Sequence, residues 1–236
     1  VHRSWGWQPD PVNRTARQAA RQKVTLEQQL AANHLTVLGG FHAKADDYLP
    51  AGTRTLLLLG PSEPGFWPHV TAQREWVDGT PDPIDRWSRR TIGTIACSLG
   101  AKALFPFGGP PYHPFYRWAL QSGCCWDSPV KLLVHASQGL MVSFRGALAL
   151  RELVDLPAPT VKPCDTCAAK PCVTACPPAA LTADGYDVPA CHAFLDTDAG
   201  TGCMTGGCLT RRACPVSVGY ARLAEHSAYH MGMFHK

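Results

Sequence analysis

Eight cysteines crowd into the last third of the chain, and their spacing most limits what the chain can fold into. In chain order they are Cys164, Cys167, Cys172, Cys176, Cys191, Cys203, Cys208 and Cys214. The fourth and the eighth are each followed by proline. In bacterial ferredoxins the run Cys-x2-Cys-x2-Cys-x3-Cys-Pro holds [4Fe–4S] clusters, and the cysteine before proline ligates the other cluster. This chain has that run with Lys170 and Pro171 added before its third cysteine.

This crossed pattern predicts two iron–sulfur sites. The first set is Cys164, Cys167, Cys172 and Cys214. The second set is Cys176, Cys191, Cys203 and Cys208. A structural zinc site is the first alternative, but residues 164–214 hold neither the second Cys-x2-Cys nor the His-x3-5-His that usually completes one. A disulfide framework is the second, and it requires an oxidising compartment. His192 is interpreted as a surface neighbour of Cys191.

The bulk composition excludes several classes of protein. The 236 residues suggest one domain plus a smaller unit, and 45% hydrophobic with 17% charged residues is typical of a folded core. The net charge is +4, and no run of Lys or Arg predicts binding to nucleic acid. No apolar stretch is long enough for a membrane span, and residues 1–23 lack the apolar stretch of a signal peptide. We therefore expect a cytoplasmic protein that does not bind a membrane.

A proline-bearing segment, residues 155–163, predicts a boundary between two units. We expect an N-terminal extension (1–24), an upstream domain (25–158), a ferredoxin domain (159–220) and a C-terminal tail (221–236). Upstream, a helix capped by Thr25 and Gln28 precedes alternating strands and helices. Two apolar runs within 130–150, separated by "HASQG", predict a closing hairpin. The fold class is therefore α+β, an α/β layered domain followed by the cysteine-rich one.

Aromatic and histidine residues cluster in two upstream stretches, "GFWPHV" and "PPYHPFYRW". Such a set lines pockets for large, flat ligands, although buried core packing is the alternative. No phosphate loop, dinucleotide fingerprint or nucleophile elbow is present. The sequence therefore assigns no catalytic acid, base or nucleophile.

Two stretches resemble the family of epoxyqueuosine reductases and reductive dehalogenases. "PPYHPFYRWALQ" is similar to their Tyr-His helix, and "CHAFLD" is similar to the segment whose lone cysteine serves the second cluster. Those proteins join a cobalamin-binding, nitroreductase-like domain to a C-terminal ferredoxin with two clusters. Of their catalytic Asp-Ser-Ala-Pro segment only "WDSPV" remains, so Asp127 is interpreted as a turn residue.

The upstream domain also resembles the cobalamin-processing chaperone family of methylmalonic aciduria and homocystinuria type C. "DPIDRWSRRTIG" is similar to an Asp-Pro-Val-Asp helix of that family. "LLVHASQGLMVSFRGALAL" is similar to its hairpin, with His135, Gly139, Arg145 and Gly146 in register. The resemblance covers residues 25–158, and "QGLM" replaces the Phe-Gly-Gly-Trp of the family.

These resemblances imply a nitroreductase-like, corrinoid-binding domain followed by a bacterial-type dicluster ferredoxin. The implied oxidoreductase passes electrons from two [4Fe–4S] clusters to a bound cobalamin and removes its upper ligand. An external ferredoxin, flavodoxin or reductase would donate the electrons. The implied corrinoid-binding residues are Tyr112, His113, Tyr116, His135 and Arg145. The alternatives are a flavin-dependent reductase holding FMN, a reductase of the epoxyqueuosine or dehalogenase type, and an electron carrier whose upstream domain docks a partner.

Overall fold

A computed structural model describes residues 25–236, so the predicted N-terminal extension lies outside the described residues. The described chain is mixed α/β with two small antiparallel sheets, one of four strands in the order β1-β2-β6-β3 and one of two, β4-β5. The strands are β1 (Leu35–His42), β2 (Thr55–Pro61), β3 (Lys102–Leu104), β4 (Cys125–Asp127), β5 (Leu133–His135) and β6 (Gly146–Leu150).

Strand β2 lies inside the larger sheet and is buried along its whole length. Leu57 and Leu59 belong to the core cluster on one face, while Leu56 and Leu58 belong to the cluster on the other. Successive side chains of a strand point to opposite faces, so a strand covered on both faces needs a continuous apolar run. The sequence TLLLLGP supplies that run.

Helices cover both faces of this sheet. They are α1 (Leu26–Ala31), α2 (Phe66–Thr71), α3 (Arg74–Val77), α4 (Pro83–Ser98) and α5 (Phe115–Gln121). The predicted capping box is confirmed, because Thr25 and Gln28 exchange side-chain and backbone hydrogen bonds at the start of α1. Trp87 of α4 packs on one face of the sheet, and Trp118 of α5 packs on the other. We call residues 25–158 the sheet half.

The cysteine half, residues 159–236, is built from short helices. They are α6 (Pro163–Thr166), α7 (Val188–Leu195), α8 (Thr201–Gly206), α9 (Leu209–Ala213), α10 (Pro215–Gly219) and α11 (Ala224–Phe234), with 3-10 turns at Pro171–Val173 and Asp198–Gly200. The predicted tail contains α11, which packs on α8 and places Tyr229 against the core of the sheet half. Among residues 25–236, no helix combines the length and apolar character needed to cross a membrane.

The predicted hairpin within 130–150 is wrong. Strand β5 pairs with β4, whereas β6 pairs with β2 and β3 in the larger sheet. Between them His135 and Gly139 close a tight turn, and Gln138 Nε2 donates to the carbonyl of Pro61. Backbone and side-chain hydrogen bonds to other segments therefore direct the two apolar runs into different sheets.

Candidate functional site

The first of two cysteine-lined cavities has a volume of about 270 Å³. Its cysteines are Cys164, Cys167, Cys172 and Cys214. Three come from α6 and the 3-10 turn that follows it, where Pro163 and Pro171 begin the two turns. The fourth arrives from the other end of the cysteine half, where Cys214 caps α10.

The second cavity has a volume of about 250 Å³. Its cysteines are Cys176, Cys191, Cys203 and Cys208. Cys191 lies in α7, Cys203 lies in α8 and Cys208 caps α9. The structure thus brings the eight cysteines together in the two sets that the spacing predicts, including the exchange of Cys176 and Cys214.

The thiols of each set interact electrostatically with one another. Burial raises the pKa of Cys172, and repulsion from Cys164, Cys214 and Cys167 raises it further. Burial likewise raises the pKa of Cys203, with added repulsion from its own set. Four thiolates close together are costly unless a positively charged group lies among them. Each cavity is therefore suited to a group that holds all four thiols as thiolates.

The alternatives to an iron–sulfur site can be tested against this geometry. None of the eleven cysteines forms a disulfide. Among residues 25–236, no group of three or more His, Cys, Asp or Glu side chains is arranged to hold a metal ion. A zinc ion requires its sulfurs to converge at about 2.3 Å from one point. These cysteines instead surround cavities far larger than the roughly 10–15 Å³ that a single water needs.

The sheet half supplies one wall of each cavity. Pro129, Val134 and Leu140 line the first cavity, and Met141 and Val142 line the second. Hydrogen bonds fix this wall to the cysteine half. Ser217 Oγ accepts from the Leu140 amide at 2.9 Å, and Arg222 Nη1 donates to the carbonyl of Met141 at 3.0 Å. A group bound in either cavity would therefore lie directly against the sheet half.

A buried polar chain reaches the second cavity from the sheet half. Glu63 Oε1 lies 2.5 Å from His226 Nδ1, and His226 Nε2 lies 3.1 Å from Nε2 of His230, which lines the cavity. Burial, together with the nearby positive charge of Arg222, lowers the pKa of His226 to about 2. Sequence reasoning missed this chain. Two histidines four positions apart in "EHSAYH" would share one face of a helix and were the available signal.

The first three residues predicted to bind a corrinoid lie near the start of α5. Tyr112 is 67% exposed, and the ring of His113 stacks on Trp118 with centroids 5.6 Å apart. The hydroxyl of half-exposed Tyr116 hydrogen-bonds to Asp127, and burial together with this bond raises its pKa to about 12. Asp127 is the last residue of β4. The turn that follows it carries Ser128 and Pro129, which line the first cavity.

The other two predicted residues have structural partners. His135 is buried, its Nε2–H donates to the carbonyl of Leu38 at 2.9 Å, and its Nδ1 accepts backbone N–H groups. An imidazole nitrogen that accepts carries no proton, so the ring is neutral, and burial lowers its pKa. Arg145 is buried and pairs with Asp85 at 3.2 Å. Neither cysteine-lined cavity includes any of the five predicted corrinoid-binding residues.

Comparisons with models of known protein families, with curated proteins and with solved structures found no match for this chain. The functional argument therefore rests on the eight cysteines, the two cavities and the residues around them.

Proposed function

We propose that this chain is an iron–sulfur electron-transfer protein that holds one [4Fe–4S] cluster in each cysteine-lined cavity. One observation carries the proposal: the cysteines form two sets of four around two cavities, with Cys176 and Cys214 exchanged between the sequence blocks. This exchange is characteristic of ferredoxins with two clusters. Bound clusters would supply one-electron transfer.

The chain's own residues would control the surroundings of each cluster. Val134, Leu140 and Val216 form an apolar wall around the first cavity, and Leu181 and Leu195 do so around the second. Such walls limit solvent access, and solvent access is one determinant of a cluster's reduction potential. Because burial raises the thiol pKa values, binding a cluster would release protons and would weaken as the pH falls.

The finer assignment of the two halves belongs to the same proposal. We infer that residues 25–158 form a nitroreductase-like domain and residues 159–220 a bacterial-type dicluster ferredoxin. The four-stranded sheet covered by helices on both faces supports the first assignment. The cysteine spacing and the two cavities support the second.

We propose a corrinoid as the electron acceptor, held at the exposed face of Tyr112 and Tyr116. The supporting observation is the bond from Tyr116 to Asp127, because Ser128 and Pro129, next in the chain, line the first cavity. A ligand on this face would therefore lie close to the first set of cysteines. His135 and Arg145 would shape the scaffold, since their polar atoms are already engaged.

The cluster proposal is tested by purifying the chain without oxygen and counting iron and sulfide. About eight irons per chain are expected, four for each cluster. Cys164→Ala and Cys203→Ala should each remove about four irons. Cys97→Ala, which changes an exposed cysteine of α4, is the matched control and should remove none. A wild-type chain that binds zinc instead, or no metal, would contradict the proposal.

The acceptor is tested on the same holoprotein by absorbance titration with hydroxocobalamin and, separately, with FMN. Saturable shifts of the corrinoid bands that Tyr112→Ala weakens would support the corrinoid. Binding of FMN alone would favour the flavin-dependent alternative. Binding of neither ligand by a protein with eight irons would leave an electron carrier whose sheet half docks a partner.

A further inference from the structure

Two arginines distinguish the second cavity from the first. Arg211 and Arg222 both line the second cavity together with its four cysteines. Their guanidinium groups are held in place by the sheet half. Arg211 Nη1 donates to the carbonyl of Leu140 at 2.5 Å, and Arg222 Nη1 donates to the carbonyl of Met141 at 3.0 Å.

Neither arginine has a carboxylate partner. In the described part of the chain, no Asp or Glu oxygen lies within 4 Å of a nitrogen of Arg211 or Arg222. Glu63 is the acid that interacts with Arg222 over a longer distance, and its Oε1 faces His226. Arg222 Nε is buried without any hydrogen-bond partner. Partly buried cations are stable only when a negative group compensates them, and the four cysteines that line the same cavity would supply that charge as thiolates.

The first cavity has a different electrostatic setting. Lys170 lines it, but this side chain is exposed to water. Lys162, two residues before Cys164, does not line the cavity. Water screens an exposed ammonium group far more than a partly buried guanidinium. The positive potential is therefore stronger at the second cavity than at the first.

A tyrosine adds to this difference. The hydroxyl of Tyr186, a residue that lines the second cavity, interacts with the thiol of Cys191. Hydrogen bonds to cluster sulfurs and nearby positive charge both favour the reduced, more negative state of a cluster. Tyr186 thus acts in the same direction as the arginines.

We propose that Arg211 and Arg222, assisted by Tyr186, hold the reduction potential of the second cluster above that of the first. The proposal rests on the proposed function. When the two clusters together hold one electron, that electron would reside on the second cluster rather than on the first. The two sites would exchange one electron, so that one is oxidised as the other is reduced.

The test is a redox titration of the holoprotein followed by electron paramagnetic resonance. Two midpoint potentials are expected, and the signal altered in Cys203→Ala identifies the second cluster. Arg222→Met and Arg211→Met should each shift the second cluster's reduction equilibrium at least about tenfold toward oxidation, which is about 59 mV for one electron. Arg211→Lys keeps the positive charge and should leave the second cluster's potential close to its wild-type value. Lys170→Met, the matched control at the first cavity, should shift neither potential by as much.

Tyr186→Phe should lower the reduction potential of the second cluster by a smaller amount. This variant still tests the proposal if the arginine variants do not fold. Equal potentials in the wild type, a higher potential at the first cluster, or variants that move both clusters alike would overturn the proposal. A wild-type chain without about eight irons would instead remove the proposed function itself. The iron count, made first, separates these two failures.

Discussion

The two halves of this chain achieve their folds in different ways. The sheet half has two extensive apolar clusters that contain Trp87 and Trp118, both fully buried, and its longest helix has 16 residues. The buried apolar residues beyond 158, apart from cysteines, are Ala180, Leu181 and Leu195. The remaining buried cluster combines cysteines with residues of the sheet half. A unit with so small a core usually depends on metals or disulfides for its stability.

Removing iron is the strongest way to test this difference. We expect the iron-free chain to keep slowly exchanging amides in β2 and α4 and to lose protection throughout 163–219. The physical reason is that ligand binding is also folding free energy where no preformed core exists. Hydrogen exchange followed by mass spectrometry, on matched iron-loaded and iron-free samples, measures both halves at once.

Equal protection of residues 163–219 with and without iron would contradict this account of the cysteine half. Loss of protection in both halves together would show that the sheet half also depends on the clusters. The interface hydrogen bond between Leu140 and Ser217 makes a small change near residue 140 compatible with either result.

The sequence predicted those features that depend on local pattern. The predicted Thr25 capping box is present at the start of α1. The cysteine spacing anticipated which four thiols lie around each cavity, since short turns bring three cysteines together and the exchanged one follows from the Cys-Pro pattern. Whether they ligate iron stays a prediction.

Features that depend on contacts between residues far apart in the chain were not predicted from the sequence. The two apolar runs within 130–150 lie on either side of a turn, as the strands of a hairpin would. The actual partner of β5 is β4, a strand of only three residues, which is too short to be recognised from sequence. Arg145 and His135 matched a corrinoid-binding pattern, yet Asp85 and Leu38 engage them from other segments. The Glu63–His226–His230 chain joins residues more than 160 positions apart, which no local periodicity reveals.

A substitution at Gly139, where the two halves meet, should have a smaller effect on stability than the removal of iron. It has φ +57°, and an added Cβ would lie 2.5 Å from the Ser217 amide nitrogen and 3.0 Å from Cys214 Sγ. Gly139→Ala should destabilise the protein by about 2–5 kcal/mol, from left-handed backbone strain plus overpacking. It should also lower the iron content of the first site. Chemical denaturation and iron analysis measure the two effects.

Gly100→Ala is the matched control for that experiment. Gly100 has a similar φ of +63°, but nothing lies within 4 Å of an added Cβ. It should cost only the backbone strain, about 1–2 kcal/mol, and leave the iron content unchanged. If the two variants lose the same stability and the same iron, the contact between Gly139 and the cysteine half has no energetic importance.

The smallest expected effect lies in the sheet half and should be independent of the clusters. Glu75 is buried between α3 and α4, and hydrogen bonds from Arg90 are the main cause that lowers its pKa from 4.5 to about 2. A depressed carboxyl pKa stabilises the fold above about pH 4.5, and this contribution is lost as the pH falls toward about 2.

Glu75→Gln should therefore cost about 1 kcal/mol near neutral pH, because solvent screens the partly exposed Arg90. The difference from wild type should shrink as the pH falls through 4.5 toward 2. Urea unfolding of the iron-free chains, followed by tryptophan fluorescence at several pH values, measures this trend. The control is Glu152→Gln, which changes an exposed acid without an ion pair among the described residues and should give no such trend. A Glu75→Gln difference that is constant with pH would mean that its charge does not stabilise the sheet half.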